Sequence, residues 1–180
     1  MPKHLNLPNI LALFRIALAP LMLWFFVDRA NPLFSTWHPS WLDYFAGLIF
    51  VVASVTDFFD GYIARNWDQM TKLGGILDPL ADKMLVLAGF LGLLAIDRAN
   101  AWAIFLILSR EFFITGLRVV AVSEGKNVDS TMAGKIKTVA QMFAIGFLTM
   151  NWPYATTILW FAVILTLYSG FEYTRDYFKA

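Results

Sequence analysis

Long apolar runs alternate along this chain with short polar breaks. The runs cover residues 15–27, 41–65, 76–96, 101–123, 131–150 and 155–173. Most have close to the ~20 residues that a helix needs to cross a ~30 Å hydrocarbon layer. The pattern predicts an all-α protein of six transmembrane helices. The longest break, 28–40, holds Pro32 and Pro39 with Trp37 and Trp41 at its end, and reads as a surface loop with interfacial aromatics. The break at 66–75 is polar and ends in Gly74 and Gly75, a tight loop. Shorter breaks fall at 97–100, 124–130 and 151–154. Pro20 lies inside the first run, where it predicts a kink and no break, and Pro79 lies near the start of the third, where proline is tolerated.

The N-terminus has a basic start and an apolar run, as a secretory leader would. No small-residue cleavage site follows, and Arg15 interrupts the start of the run. The expectation is a retained first helix, with residues 1–8 at the membrane surface. No internal repeat divides the 180 residues, which read as a single domain, 1–180.

Composition supports the membrane reading. Apolar residues make up 59% and charged residues 15%, and the mean hydropathy is +0.62. Soluble domains are about one quarter charged. The formal net charge is +1, and no nucleic-acid partner is expected. The absence of cysteine excludes disulfides, thiolate metal sites and a cysteine nucleophile. His4 and His38 are remote from the acidic residues, which argues against a histidine-built zinc site. Of the 14 Lys and Arg residues, all but Arg29 and Arg98 fall on the side that holds both termini in a six-span topology. That bias puts the termini, and the polar stretch described next, at the cytoplasmic face of the inner membrane.

The polar stretch is TDFFDGYIARNWDQMTKLGGILDPLADK, residues 56–83. Asp57 and Asp60 are three apart, and Asp78 and Asp82 four apart, so on helices each pair shares a face. Any one of these aspartates, taken singly, reads as a helix cap or a solvated charge. Four carboxylates at the edges of apolar segments read differently. Such groups are costly there and mark function, and clustered negative charge calls for hard divalent cations such as Mg²⁺ or Mn²⁺, which also bind substrate phosphates. Two such ions can clamp a phosphoryl group. On two later spans stand Arg110, Arg118, Lys135 and Lys137, which could either snorkel to lipid headgroups or converge on a phosphate.

Asp57, Asp60, Gly61, Ala64, Arg65, Gly74, Asp78 and Asp82 follow one another at spacings that match, at every fixed position, the signature of the CDP-alcohol phosphatidyltransferase family. The chain resembles that family. NLPNILALFR, SREFFITGLR and GKIKTVAQM extend the similarity to its glycerol-phosphate branch. The resemblance implies CDP-diacylglycerol as donor, held by Gly61, Ala64, Arg65 and Thr71, with Asn6, Asn9 and Arg15 closing the donor side. It implies two divalent ions held by Asp57, Asp60, Asp78 and Asp82, with Asp57 and Asp78 shared between them and Asp82 also acting as the general base. It further implies sn-glycerol 3-phosphate as acceptor, its phosphate on Arg110, Arg118, Lys135 and Lys137, and a homodimer within membrane lipid. From the residues alone, Gly61 and Ala64 could equally serve helix packing.

Two other readings stand beside this one. The same chemistry could take inositol phosphate, serine or another alcohol as acceptor. In a different class, intramembrane carboxylates also mark divalent-cation and proton transporters. The clustering of the aspartates at one face weighs against a transport path, as does the lack of a role in a pore for Gly61, Ala64 and Arg65.

Overall fold

Each of the six apolar runs forms a helix. In the computed structural model the described residues are 7–66, 73–125 and 132–179, with the side chains of residues 8 and 58–66 outside the description. Among them are six α-helices and no strand: α1 (Leu7–Val27), α2 (Pro39–Asn66), α3 (Gly74–Ala95), α4 (Ala101–Ser123), α5 (Met132–Thr149) and α6 (Ala155–Lys179). The chain divides into two units, Met1–Ile96 with α1 to α3 and Asp97–Ala180 with α4 to α6.

Several boundaries differ from the sequence expectation. α1 begins at Leu7, well before residue 15, and passes through Arg15 and Pro20 without a break. Arg15 does not interrupt the helix because its charge is met inside the protein, as described below. α2 begins at Pro39, whose fixed φ and missing N–H suit a first helical position. The 28–40 segment is also more ordered than a plain loop. Asn31 caps a 3-10 turn at Pro32–Phe34 by accepting from the Leu33 N–H at 3.0 Å. The Phe34 side chain is buried and its ring packs 5.0 Å from Trp24 and 5.4 Å from Trp37. Beside them Asp28 accepts from Asn31 Nδ2 at 2.7 Å and from Trp24 Nε1 at 2.9 Å, bonds that hold its carboxyl below the usual carboxylate range.

In the first unit α1 packs against both α2 and α3. Its buried stripe is Asn9, Ala12, Arg15, Ala19, Met22 and Phe26, at steps of three or four. The opposite surface carries exposed Ile10, Leu13, Phe14 and Leu21. A water-soluble helix does the reverse, hiding its large apolar side chains. Turning small and polar residues inward and Leu and Phe outward is the arrangement that suits a lipid surround. Ion pairs fix α1 against α2: Arg15 with Asp57 at one end and, just past the C-terminus of α1, Arg29 with Asp43 at the other, so the two helices run antiparallel. Towards α3, Arg15 lies near Asp78 and Phe26 against Gly92, so those two run parallel.

In the second unit α6 packs against α4 and α5. Its buried face includes Ala162, Thr166, Ser169, Gly170 and Tyr173. Thr166 Oγ1 accepts from Gln141 Nε2 of α5 at 2.9 Å, an interhelical hydrogen bond between two buried side chains. Asn100 caps α4, accepting from the N–H groups of Trp102 and Ala103, and Arg98 Nη1 donates to the Thr149 carbonyl at 2.6 Å.

Three segments, Asn9–Val27, Pro39–Asp57 and Ala155–Lys179, are long and apolar enough to cross a membrane by length and composition. The other three helices are diluted by charge: α3 by Asp78, Asp82 and Lys83, α4 by Arg110, Glu111 and Arg118, α5 by Lys135 and Lys137. Those charged positions include most of the residues singled out above for chemistry.

The contact between α1 and α3 can be tested. A Cβ on Gly92 would stand 2.3 Å from Phe26 Cδ2 and 2.8 Å from Phe26 Cβ, so the helices must part to admit it. Gly92→Ala is expected to destabilise the protein by about 1–3 kcal/mol, the usual cost of overpacking. Thermal unfolding in detergent against the parent measures this, and an unchanged midpoint would show that α1 and α3 yield freely.

Candidate active site

α2 carries Asp57, Asp60, Gly61 and Ala64 at i, i+3, i+4 and i+7, one face of its last turns, with Arg65 beside them. For Asp60, Gly61, Ala64 and Arg65 only the backbone position is described. Asn6 and Thr71, expected at the donor, lie outside the described residues. α3 starts at Gly74, and its inward stripe runs Gly74, Asp78, Ala81, Leu85, so Asp78 points with the packing face while Asp82 stands one turn further along.

The two aspartate-bearing helices meet at α1. Arg15 has no exposed surface; its Nη1 donates to Asp57 Oδ1, and its Nη2 lies 3.5 Å from Asp78 Oδ1. Ala12 and Ala19, a turn below and above it, are fully buried and small enough to let the neighbouring helices close on the guanidinium. Asp57 and Asp78 keep 40% and 38% of their side-chain surface exposed. Each carboxylate therefore shows one side to the buried arginine and another to the outside. Asn9, two turns before Arg15 on the same stripe, is also buried.

Do these groups suit a divalent ion? The donor set, Asp57, Asp78 and Asp82 with Asp60 on the same face of α2 as Asp57, consists of carboxylate oxygens only, the hard ligands that Mg²⁺ and Mn²⁺ take. Asp78 Oδ1 is buried and accepts no hydrogen bond among the described residues. A buried carboxylate oxygen in that condition suits a cation ligand. Among the described residues no three acidic or histidine side chains are yet drawn into one cluster. The residue types fit the group.

Of the four basic residues expected either to snorkel or to converge on a phosphate, two are tied to one carboxylate. Lys137 is buried and donates to Glu111 Oε1. Glu111 also lies 3.4 Å from Arg110 Nη1, and Arg110 Nη2 donates to Ser169 Oγ at 2.8 Å. Gly170 makes this possible, since a Cβ there would meet the Arg110 side chain at 3.0 Å. Two cations around one carboxylate leave one positive charge in excess, a local field that favours an anion. The Arg118 guanidinium stands 5.7 Å from the Tyr173 ring centroid, and the buried Tyr173 hydroxyl makes no hydrogen bond among the described residues. Lys135 is exposed on the first turn of α5.

Sequence reasoning placed Arg15 at the margin of the site and gave Glu111, Ser169 and Tyr173 no part in it. A signal for Arg15 was present, since Asn9, Ala12, Arg15 and Ala19 make a small-and-polar stripe at helical spacing. Glu111 adjoins Arg110 in sequence, but its partner Lys137 is on another helix, and no local pattern announces that pairing.

A family model described as CDP-alcohol phosphatidyltransferase matches residues 5–168. A Bacillus subtilis (strain 168) protein named CDP-diacylglycerol--glycerol-3-phosphate 3-phosphatidyltransferase is 39% identical over 191 residues, spanning 97% of this chain and 96% of its own. An Escherichia coli (strain K12) protein of the same name is 39% identical over 179 residues, covering 93% and 92%. The match takes in both aspartate-bearing helices and the basic residues of α4 and α5, and this chain belongs to the CDP-alcohol phosphatidyltransferase family.

Proposed function

We propose that this protein transfers the phosphatidyl group of CDP-diacylglycerol to sn-glycerol 3-phosphate, giving phosphatidylglycerophosphate and CMP. The observation that carries the chemistry is the meeting of Asp57 and Asp78, from separate helices, at one buried guanidinium with their outer sides open. The acceptor rests on the names of the relatives, which share 39% of their residues over nearly the whole chain.

Asp57, Asp60, Asp78 and Asp82 would hold two divalent ions, Mg²⁺ or Mn²⁺, which when bound supply charge neutralisation for the phosphoryl group. Gly61 and Ala64 allow close approach of the cytidine to α2, with Arg65 and Thr71 on the donor's diphosphate and Asn6 and Asn9 closing that side. Asp82 takes the proton of the acceptor's hydroxyl as its oxygen bonds to the lipid-side phosphorus. The bond from that phosphorus to the CMP oxygen breaks, and Arg65 helps to hold the leaving charge. Arg110, Arg118, Lys135 and Lys137 hold the acceptor's phosphate. Glu111 fixes Arg110 and Lys137 in place, so that their excess charge is presented without a search through rotamers.

All six helices cross the inner membrane in this reading, with both termini and the aspartates cytoplasmic, and the protein is a homodimer. The charge dilution of α3, α4 and α5 supports it, since helices that bury their charges against protein can still span. Cysteines introduced at Ser35 and Lys179 should label from opposite sides of the membrane, and labelling from one side would remove the six-span topology.

Purified protein should release CMP only with CDP-diacylglycerol, sn-glycerol 3-phosphate and a divalent cation all present. Serine or inositol phosphate giving the faster turnover would displace the acceptor assignment, and ion flux into liposomes without CMP release would point to transport. Asp82→Asn should abolish turnover while leaving donor affinity nearly intact, because the amide keeps the shape but cannot take the proton. Single-turnover rates and CDP-diacylglycerol binding measure the two effects separately.

Arg118→Ala and Lys135→Ala should each lower kcat/KM for sn-glycerol 3-phosphate roughly ten- to a hundredfold, the loss of a charge-assisted contact of about 1.5–3 kcal/mol, with the donor's KM nearly unchanged. Lys137→Ala should do more, since it also takes from the part-buried Glu111 its hydrogen-bonding cation and leaves it only Arg110, at a cost of about 1–3 kcal/mol of stability. Lys137→Met, which refills the space and leaves Glu111 to Arg110, should restore the unfolding midpoint but not the acceptor kinetics. Restoration of both would make Lys137 a purely structural partner.

A further inference from the structure

Arg15 engages the same two carboxylates, Asp57 and Asp78, that the metal-dependent reading shares between its ions. We infer that Arg15 is a resident counter-cation that competes with divalent ions for Asp57 and Asp78 and thereby sets the metal affinity of the site. The inference rests on that metal-dependent reading and assigns Arg15 a role different from closing the donor side.

The geometry is that of a competitor. One nitrogen serves Asp57 and another faces Asp78, so a single guanidinium spans the carboxylates of two helices. It does so from below, with no exposed surface of its own, while the carboxylates remain open on their other sides. An ion arriving from outside meets oxygens whose charge is already partly neutralised, and it is repelled by the fixed positive charge beneath them. The two contacts are unequal. Asp57 accepts a hydrogen bond, whereas Asp78 Oδ1 is held only at 3.5 Å and accepts none, so Asp78 is the oxygen more readily captured by an ion. Coupling of this kind is reciprocal, so whatever Arg15 takes from ion binding, ion binding takes from the clasp between the helices.

A residue that merely fills space would act otherwise. Methionine is long, flexible and uncharged, and in place of Arg15 it would leave ion affinity unchanged if only packing mattered. If Arg15 competes, Arg15→Met should bind ions more tightly, by roughly ten- to a hundredfold.

The test uses the full-length protein in detergent, treated with a chelator and titrated with Mn²⁺ while free Mn²⁺ is followed by electron paramagnetic resonance. The parent should bind Mn²⁺ and Asp57→Asn should lose most of that binding. Arg15→Met should bind at least about tenfold more tightly than the parent. Arg15→Lys, which keeps the charge but reaches one carboxylate at a time, should fall between them, and it carries the test if Arg15→Met does not fold. Added Mn²⁺ should also raise the unfolding midpoint of Arg15→Met more than that of the parent, as tighter binding to the folded state requires. Equal or weaker Mn²⁺ affinity in the Arg15 variants, with the parent binding normally, overturns the competitor role and leaves the metal reading intact. A parent whose Mn²⁺ binding is absent or indifferent to Asp57→Asn overturns the metal reading, and this inference with it.

Discussion

A guanidinium with no access to water must be met by negative charge, and in the first unit that requirement governs how the helices sit. Arg15 is always protonated, and an isolated charge in a medium of low dielectric costs far more than helix packing can return. Asp57 and Asp78 meet the demand, and in doing so draw α2 and α3 together against α1. The carboxylates in turn lose part of their repulsion for one another. The assembly of the aspartates and the packing of the three helices are thus one event.

The second unit meets a similar constraint with the signs rearranged. Here the central carboxylate is the part-buried Glu111, and the cations Arg110 and Lys137 reach it from α4 and α5 while Ser169 and Gly170 of α6 accommodate the Arg110 side chain. Where the first unit offers carboxylates with open faces, the second offers an excess of positive charge. The first composition suits cations and the second suits anions.

The helices were legible in the sequence because a bilayer imposes length and apolarity on each, and the aspartate signature was legible because its spacing lies within one contiguous stretch. Less legible was everything decided between helices. Arg15 looked like an interruption of an apolar run, since its partners are far along the chain; the helix in fact starts at Leu7 and passes through it. That Arg110 and Lys137 share a partner could not be read from the sequence, because Glu111, which ties them together, carries no local mark of its role. The 28–40 segment read as a loop because prolines and tryptophans signal breaks and interfaces, but ring packing around Phe34 folds part of it into a turn. Asp60 and Arg65 were named from the signature and Thr71 from the family resemblance, and the side chains of all three lie outside the described structure.

The two ion pairs between α1 and α2 also act as a ruler. Arg15 and Arg29 stand fourteen positions apart, as do Asp43 and Asp57; the second interval is helical throughout, about 21 Å of α2, and the first is helical as far as Val27 and ends in the turn that follows α1. Both latches close only if the two intervals match. Inserting or deleting one residue in the helical part of either interval would turn everything beyond it by about 100° and misalign one latch whenever the other is engaged. Length variation in this region is therefore tolerable outside the latches, in the 3-10 segment or beyond the aspartates, while the interval between them is held to a fixed count by geometry.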